Sequence, residues 1–323
     1  MKTNRSLFLI VVTALYLYGQ ASLQAALLFS VNWVTDPGND ARSTWNSVES
    51  YYQSVFSNSY SGETWTIQLD WQPLSSAAQG GPLGNNTLGS TLRSYGGALT
   101  DRIADNAYYV PTLANHLAGQ TVVSGATVTI TFSSNTTWDY STTSVDSDKE
   151  SFYTTAVHEL AHGLGFISND VSTGGWTDNQ PGIFDYNLGL GATDPQALFD
   201  MTTEQLASAF VSDNVYWTGS SGNEGNGGNA VKIFAPTTYS DGSSMSHIDP
   251  SVVLSQSLIM YPAEEVGRTV NFTYSAMELG MFRDMGYDVV PEPRTWALLG
   301  LAFGFGCTVL IRRKFRMHSL FCG

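Results

Sequence analysis

Residues 154–166, TTAVHELAHGLGF, contain the pattern His-Glu-x-x-His, with His158 and His162 four positions apart. On an α-helix, residues i and i+4 lie on the same face, so both imidazoles can reach a single metal ion. The apolar residues around them indicate a buried helix, and a buried histidine needs a polar partner. The stretch therefore predicts a buried helix, expected over 148–163, that presents two metal ligands.

Glu159 follows His158 directly, so its carboxylate can approach the open side of the same metal ion. There it can take a proton from a bound water, whose pKa a zinc ion lowers from about 15.7 to about 7. Gly165 comes three residues after His162, where a glycine can take a positive φ, end the helix and turn the chain back. These positions predict one catalytic zinc ion, with Glu159 as the general base.

The pattern His-Glu-x-x-His-x-x-Gly resembles that of the metzincin zinc peptidases. The resemblance implies a metzincin-like α+β fold, with a mixed sheet, an active-site helix and a C-terminal subdomain that is mostly irregular and helical. In the compact form of this motif a third ligand lies three residues after the glycine. That position is Ser168 here, a poor zinc ligand, so the third ligand is expected elsewhere.

The chain contains five histidines, which narrows the choice of third ligand. His116 precedes the helix, whereas the resemblance places the ligand after it, and His318 lies in the C-terminal tail. This leaves His247, separated from His162 by 84 residues. A large insertion of this kind, here about 169–246, is similar to the layout of leishmanolysin-like peptidases.

Other residues compete for these roles. Asp170 is the main alternative third ligand, and Glu264 and Glu265 are weaker alternatives. Asp249 is a candidate partner that would orient His247, although an aspartate in a loop is also a common turn residue.

Met260 follows His247 by thirteen residues, within residues 257–262, SLIMYP. This segment resembles the Met-turn of the same family, whose methionine forms an apolar floor beneath the metal. Packing in the core is the alternative role for Met260. Tyr261 is a candidate for contact with the oxyanion of a substrate.

The body of the chain, residues 27–290, is predicted to be an α+β catalytic domain. Strands are expected at 27–34, 65–71 and 126–132, where apolar residues alternate. The strand at 126–132 is expected at the sheet edge beside the active-site helix, where a peptide substrate would add as a further strand. The glycine-rich segment 79–97 is expected to be a loop.

Residues 1–26 have the three-part pattern of a signal peptide: Lys2 and Arg5, an apolar run, then small residues. They predict secretion through the inner membrane. A buried N-terminal helix is the alternative.

Near the other end, Pro291-Glu292-Pro293 precedes an uncharged stretch, 295–311, and a basic cluster. Residues 291–316 resemble a PEP-CTERM sorting signal with a transmembrane helix at 295–311, followed by a tail at 317–323. The resemblance implies transient membrane anchoring, processing by an exosortase-type enzyme and release to the cell surface or extracellular matrix. A plain C-terminal anchor is the alternative.

The body carries seven of the 14 basic residues but 27 of the 28 acidic ones. Such a surface disfavours nucleic acid and favours solubility, and it could hold calcium ions. Both cysteines, Cys307 and Cys322, lie in the C-terminal tail, so the body has no disulfide. The sequence thus predicts a secreted zinc endopeptidase that acts on protein or peptide substrates. The alternative is a non-proteolytic surface or matrix adhesion protein with a structural zinc site.

Overall fold

The computed structural model describes residues 27–252, 258–262, 266–267 and 272–290, which form an α+β protein with a mixed sheet, as predicted. The predicted signal peptide at 1–26, the sorting signal at 291–316 and the tail at 317–323 lie outside the described residues. Within the described residues, no helix combines the length and the apolar character needed to cross a bilayer.

Short strands and helices are interspersed along the described residues. The strands are β1 (Leu28–Trp33), β2 (Thr64–Gln72), β3 (Ala78–Pro82), β4 (Thr87–Leu88), β5 (Tyr108–Tyr109), β6 (Val128–Ser133), β7 (Trp138–Asp139), β8 (Glu150–Ser151), β9 (Leu188–Leu190), β10 (Gln196–Ala197), β11 (Val215–Trp217) and β12 (Lys232–Ile233). The helices are α1 (Asn39–Val55), α2 (Gly89–Arg93), α3 (Pro111–Ala118), α4 (Phe152–Gly163), α5 (Ile183–Tyr186), α6 (Thr203–Ala209), α7 (Ser220–Gly225) and α8 (Ala276–Met285).

The main sheet has the strand order β1-β2-β6-β3. β1, β2 and β6 are parallel, and β3 runs antiparallel to β6 at the edge. Helix α1 connects β1 to β2 and buries Trp45, Val48 and Tyr52 along one face. These residues recur at the helical spacing that buries one face of an amphipathic helix.

The edge strand is not the predicted one. β6, which covers most of the predicted edge strand 126–132, lies inside the sheet between β2 and β3. The edge beside the active-site helix is β3, close to the start of segment 79–97, and the prediction of a loop there was wrong for β3, β4 and α2. The sequence of β3, AQGGP, has no alternating apolar residues that would indicate a strand. Its pairing with β6 holds it in the sheet.

Helix α4 carries the His-Glu-x-x-His pattern and is buried along its whole length, as predicted. It begins later than predicted, because residues 150–151 form β8 and the Ser151 side chain accepts a hydrogen bond from Thr154 N at 3.2 Å. Gly163, its last residue, faces β6: a Cβ atom there would overlap the side chain of Val128. The absence of a side chain at Gly163 lets the helix lie close to the sheet.

Two tyrosine hydroxyls fix α4 to the rest of the domain. The hydroxyl oxygens of Tyr52 of α1 and Tyr274, just before α8, lie within hydrogen-bond distance of the Val157 carbonyl oxygen, at 2.8 and 3.1 Å. Their hydroxyl oxygens are 2.6 Å apart and both side chains are buried. Val157 immediately precedes His158, so these bonds hold the helix at the residue where its chemistry begins.

The region after α4 contains a second sheet, with the order β10-β9-β11-β12, all antiparallel. Its strands are two or three residues long, too short to show an alternating pattern in the sequence. Helices α7 and α8 approach closely at Gly280, where a Cβ atom would overlap the Ser221 carbonyl oxygen.

Tyr52→Phe should lower the free energy of unfolding by about 1 kcal/mol, since it removes one buried hydrogen bond to Val157. Tyr153→Phe is the matched control, because the described residues give the Tyr153 hydroxyl no hydrogen bond. Urea unfolding of both variants measures the difference. Equal stability of the two variants would contradict a stabilising role for the Tyr52 hydroxyl.

Candidate metal centre

Three buried histidines meet at helix α4. His158 and His162 come from α4, and His247 comes from a loop after β12. The Nε2 atom of His158 lies 3.0 Å from that of His162 and 3.2 Å from that of His247. The three side chains each place one nitrogen in a common group whose members all lie within 4.8 Å of one another, a spacing that can hold a metal ion.

The other ring nitrogen of each histidine contacts a backbone carbonyl. The pairs are His158 Nδ1 with Ile259 O at 2.7 Å, His162 Nδ1 with Phe166 O at 2.7 Å, and His247 Nδ1 with Ser243 O at 2.8 Å. A carbonyl only accepts, so each Nδ1 must carry the proton, and in a neutral ring Nε2 then carries a lone pair. The three Nε2 lone pairs therefore face one another, and a cation would satisfy all of them.

Burial favours the neutral form of these rings. It lowers the pKa of His162 to about 4, although the hydrogen bond to Phe166 acts in the opposite direction. Burial also lowers the pKa of His247 to about 3, with a smaller contribution from the nearby His162. At neutral pH both rings are therefore uncharged, which is the form that binds metals.

The carbonyl beneath His162 is placed by the end of α4. Gly165 has φ +98°, which confirms the predicted turn. Gly165 N donates to His162 O and Phe166 N donates to Ala161 O, both at 3.0 Å. This pair of bonds is a Schellman motif, and it folds the Phe166 carbonyl back towards the His162 ring.

His247 lies on a segment that pairs with β12 and the residues after it. Phe234 N donates to His247 O at 2.9 Å, and Met245 N donates to Phe234 O at 2.8 Å. Asp249 N donates to Lys232 O at 2.9 Å. Pairing with β12 and the residues after it thus positions His247 near α4, although a long insertion separates the two in the sequence.

A buried carboxylate supports the segment that contacts His158. Glu278, in the first turn of α8, accepts a hydrogen bond from Met260 N at 2.8 Å and from Ser275 N at 2.7 Å. Met260 is fully buried, and its carbonyl accepts from Ile248 N at 3.0 Å. Sequence reasoning missed this support: the spacing of Ser275 and Glu278 marks a helix cap but not the segment that the cap holds.

A second buried carboxylate holds the chain that leaves α4. Asp185 accepts from Ser168 Oγ at 2.6 Å, from Asn169 N at 2.8 Å and from Gly182 N at 2.9 Å. Burial raises the pKa of Asp185 to about 7, and these hydrogen bonds act against that rise. Ser168, at the position of the compact third ligand, is thus part of a loop anchor.

The alternative ligands are placed differently. Asp170 lies outside the histidine group and accepts a hydrogen bond from the Tyr239 hydroxyl at 2.7 Å. Glu264 and Glu265 lie outside the described residues. His116 is buried elsewhere, where its Nδ1 lies 2.9 Å from Glu63.

Asp249 does not orient His247, because its carboxylate accepts from Ser251 N at 2.8 Å and lies 3.6 Å from Lys232 Nζ. The His247 ring is held by the Ser243 carbonyl instead, a contact that no sequence pattern indicates. Tyr261 is half-buried directly after Met260.

Glu159 lies next to His158 on α4 and is buried beneath the edge strand β3. Its closest approach to that strand is at Gly80, where a Cβ atom would lie 2.8 Å from Glu159 Oε2. The structure thus places the Glu159 carboxylate beside the sheet edge, one residue along α4 from His158.

Comparison with known proteins does not assign the chain to a family. No protein-family model matches the chain, and no curated protein matches it.

The metal-free chain should lose stability as the pH falls from about 6.5 towards 4. Unfolded histidines take up a proton near pH 6.5, whereas His162 and His247 do so only near pH 4 and 3 when folded. In this window the unfolded chain binds more protons, so acid favours unfolding. Urea unfolding in a chelator at pH 7 and pH 5 measures the loss.

The control is a double variant, His162→Gln with His247→Gln, measured under the same conditions. Its stability should fall less over the same pH range, because the contributions of other groups remain. An equal fall in both chains would show that these two histidines do not titrate as described.

Proposed function

We propose that this chain is a zinc-dependent endopeptidase of metzincin-like type, with His158, His162 and His247 as metal ligands and Glu159 as general base. One observation carries the proposal. Three buried imidazoles place their Nε2 atoms in one group, and Glu159 adjoins the first of them in the chain. The His-Glu-x-x-His-x-x-Gly pattern and the contact of Ile259, the residue before Met260, with His158 support it.

The donors present fit a zinc ion. Zinc commonly takes imidazole nitrogens, and each ring here has its other nitrogen bound to a carbonyl, the arrangement that orients metal-binding histidines. Three protein ligands would leave a coordination position open, which is typical of catalytic sites. When bound, zinc would supply a Lewis acid that polarises the substrate carbonyl and makes water a stronger nucleophile.

In the proposed reaction Glu159 takes a proton from the attacking water and later returns it to the leaving amine. Its burial under β3 keeps the carboxylate away from bulk water and beside the strand edge. Because β3 is the free edge of the sheet, an extended peptide can add to it as a fifth strand. The substrate site is therefore proposed at β3 and not at the predicted strand 126–132.

We also propose that the protein is secreted by means of the signal peptide at 1–26 and is then sorted by means of residues 291–316. The support is the order of charged, apolar and small residues at each end. The strongly acidic body suits an extracytoplasmic protein that must stay soluble, and calcium binding to it stays a prediction.

A structural zinc site in a surface or matrix protein is the alternative. Such a site would recruit a fourth protein ligand. The histidine group has three members among the described residues, and the carboxylate of Glu159 has no role in a purely structural site. X-ray absorption of the zinc-loaded chain would count the nitrogen and oxygen ligands and separate the two cases.

Glu159→Gln should keep about one zinc per chain and lose cleavage of casein or gelatin. The amide preserves size but cannot accept the proton of water, and losing a general base costs about 10²–10⁴-fold in rate. Elemental analysis and a digestion assay of the full chain, with a chelator control, measure both. Full activity in the variant would exclude the mechanism.

His247→Ala should lose zinc, whereas Asp170→Asn should retain it. The first change removes one of three converging nitrogens, and the second alters a carboxylate bound to Tyr239. Zinc stoichiometry after dialysis measures the contrast. Zinc retained in His247→Ala and lost in Asp170→Asn would make Asp170 the third ligand.

A further inference from the structure

The edge strand β3 presents one glycine directly above the general base. Register pairs Gly80 with Ile130 and Gly81 with Thr129 of β6. A Cβ atom on Gly80 would overlap the Glu159 carbonyl oxygen and would lie 2.7 Å from Glu159 Cβ. At Gly81 the same atom would meet nothing within 4 Å. Two adjacent glycines thus have opposite surroundings.

The hydrogen-bond pattern shows which backbone groups of β3 face outwards. Ser133 N donates to Ala77 O at 2.7 Å, and Leu83 N donates to Thr127 O at 2.9 Å. In an antiparallel ladder bonded pairs alternate with unbonded pairs, so residues 79 and 81 also point their N–H and C=O groups at β6. Gly80 therefore points its N–H and C=O away from β6, towards the free edge.

These free groups are the ones that an added strand would use. Within the described residues, neither the N–H nor the C=O of Gly80 has a hydrogen-bond partner. Ala78 also points outwards, but its carbonyl accepts from Ser76 Oγ at 3.1 Å, and Pro82 has no N–H. Gly80 is thus the one residue of β3 that offers both a free donor and a free acceptor.

We propose that Gly80 is a positioning residue of this enzyme, because its missing side chain lets the Glu159 carboxylate lie directly beside the backbone groups that bind an extended peptide. The inference rests on the proposed function. Any side chain at position 80 would force β3 away from α4, since the closest atom that it would meet is backbone. The peptide would then be carried away from Glu159, while the three histidines, which contact other segments, would keep their arrangement.

The test compares Gly80→Ala with Gly81→Ala in the full chain. Gly80→Ala should keep about one zinc per chain while kcat per zinc-loaded chain falls about 100-fold, the scale of a misplacement near 1 Å. Gly81→Ala should keep zinc and kcat within about twofold, because its Cβ atom enters open space. A merely destabilising change would lower the zinc-loaded fraction and leave kcat per loaded chain unchanged.

Two outcomes separate this inference from the proposed function. An inactive wild-type chain overturns the proposed function and, with it, the positioning role. An active wild-type chain whose Gly80→Ala variant matches Gly81→Ala in kcat overturns the positioning role alone.

A second measurement applies if Gly80→Ala does not fold. In the full chain labelled with ¹⁵N-glycine, Glu159→Gln should shift the Gly80 amide signal more than the Gly81 signal, because only Gly80 contacts Glu159. If Gly80→Ala does not fold and the Gly80 signal shifts more than the Gly81 signal, the close approach of Gly80 to Glu159 is supported. An unmoved Gly80 signal overturns it.

Discussion

Three imidazole lone pairs that converge in a buried space impose the main constraint on this structure. Each ring is fixed from behind by a backbone carbonyl, so its Nε2 atom cannot turn away from the group without losing that bond. Without a cation the arrangement is unfavourable, because lone pairs repel one another in a medium of low dielectric constant. The surrounding fold must supply the energy to hold them together, and a metal ion would relieve that cost.

The carbonyl groups that fix the three rings belong to segments that are distant in the sequence. The three carbonyls belong to Phe166, Ser243 and Ile259, and each is held by a different device: a helix-ending turn, a loop beside the second sheet, and a segment fixed by buried Glu278. A body without cysteine has no disulfide to link these segments. Metal binding would link them in its place, because ligands from separate segments would meet only in the folded chain.

The sequence was informative where chemistry and periodicity coincide. The spacing of His158 and His162 predicts both a helix and a shared face. Reasoning failed at β3, where glycines carry no periodic signal, and at Glu278, whose supporting role depends on a partner 18 positions away in the chain. The contact of a ring with a backbone carbonyl, such as that of His247 with Ser243 O, cannot be predicted from residue identity, because every residue has a carbonyl.

Small residues determine where the large functional side chains lie. Gly163 lets α4 lie close to β6, Gly165 turns the chain so that its carbonyl groups reach His162, and Gly80 lets β3 pass over Glu159. At Gly163 and Gly80 a methyl group would overlap packed atoms, so helix and sheet would have to separate. At Gly165 the backbone has a φ that residues with a side chain rarely adopt. The geometry of the histidine and glutamate side chains therefore depends as much on these missing side chains as on the ligands themselves.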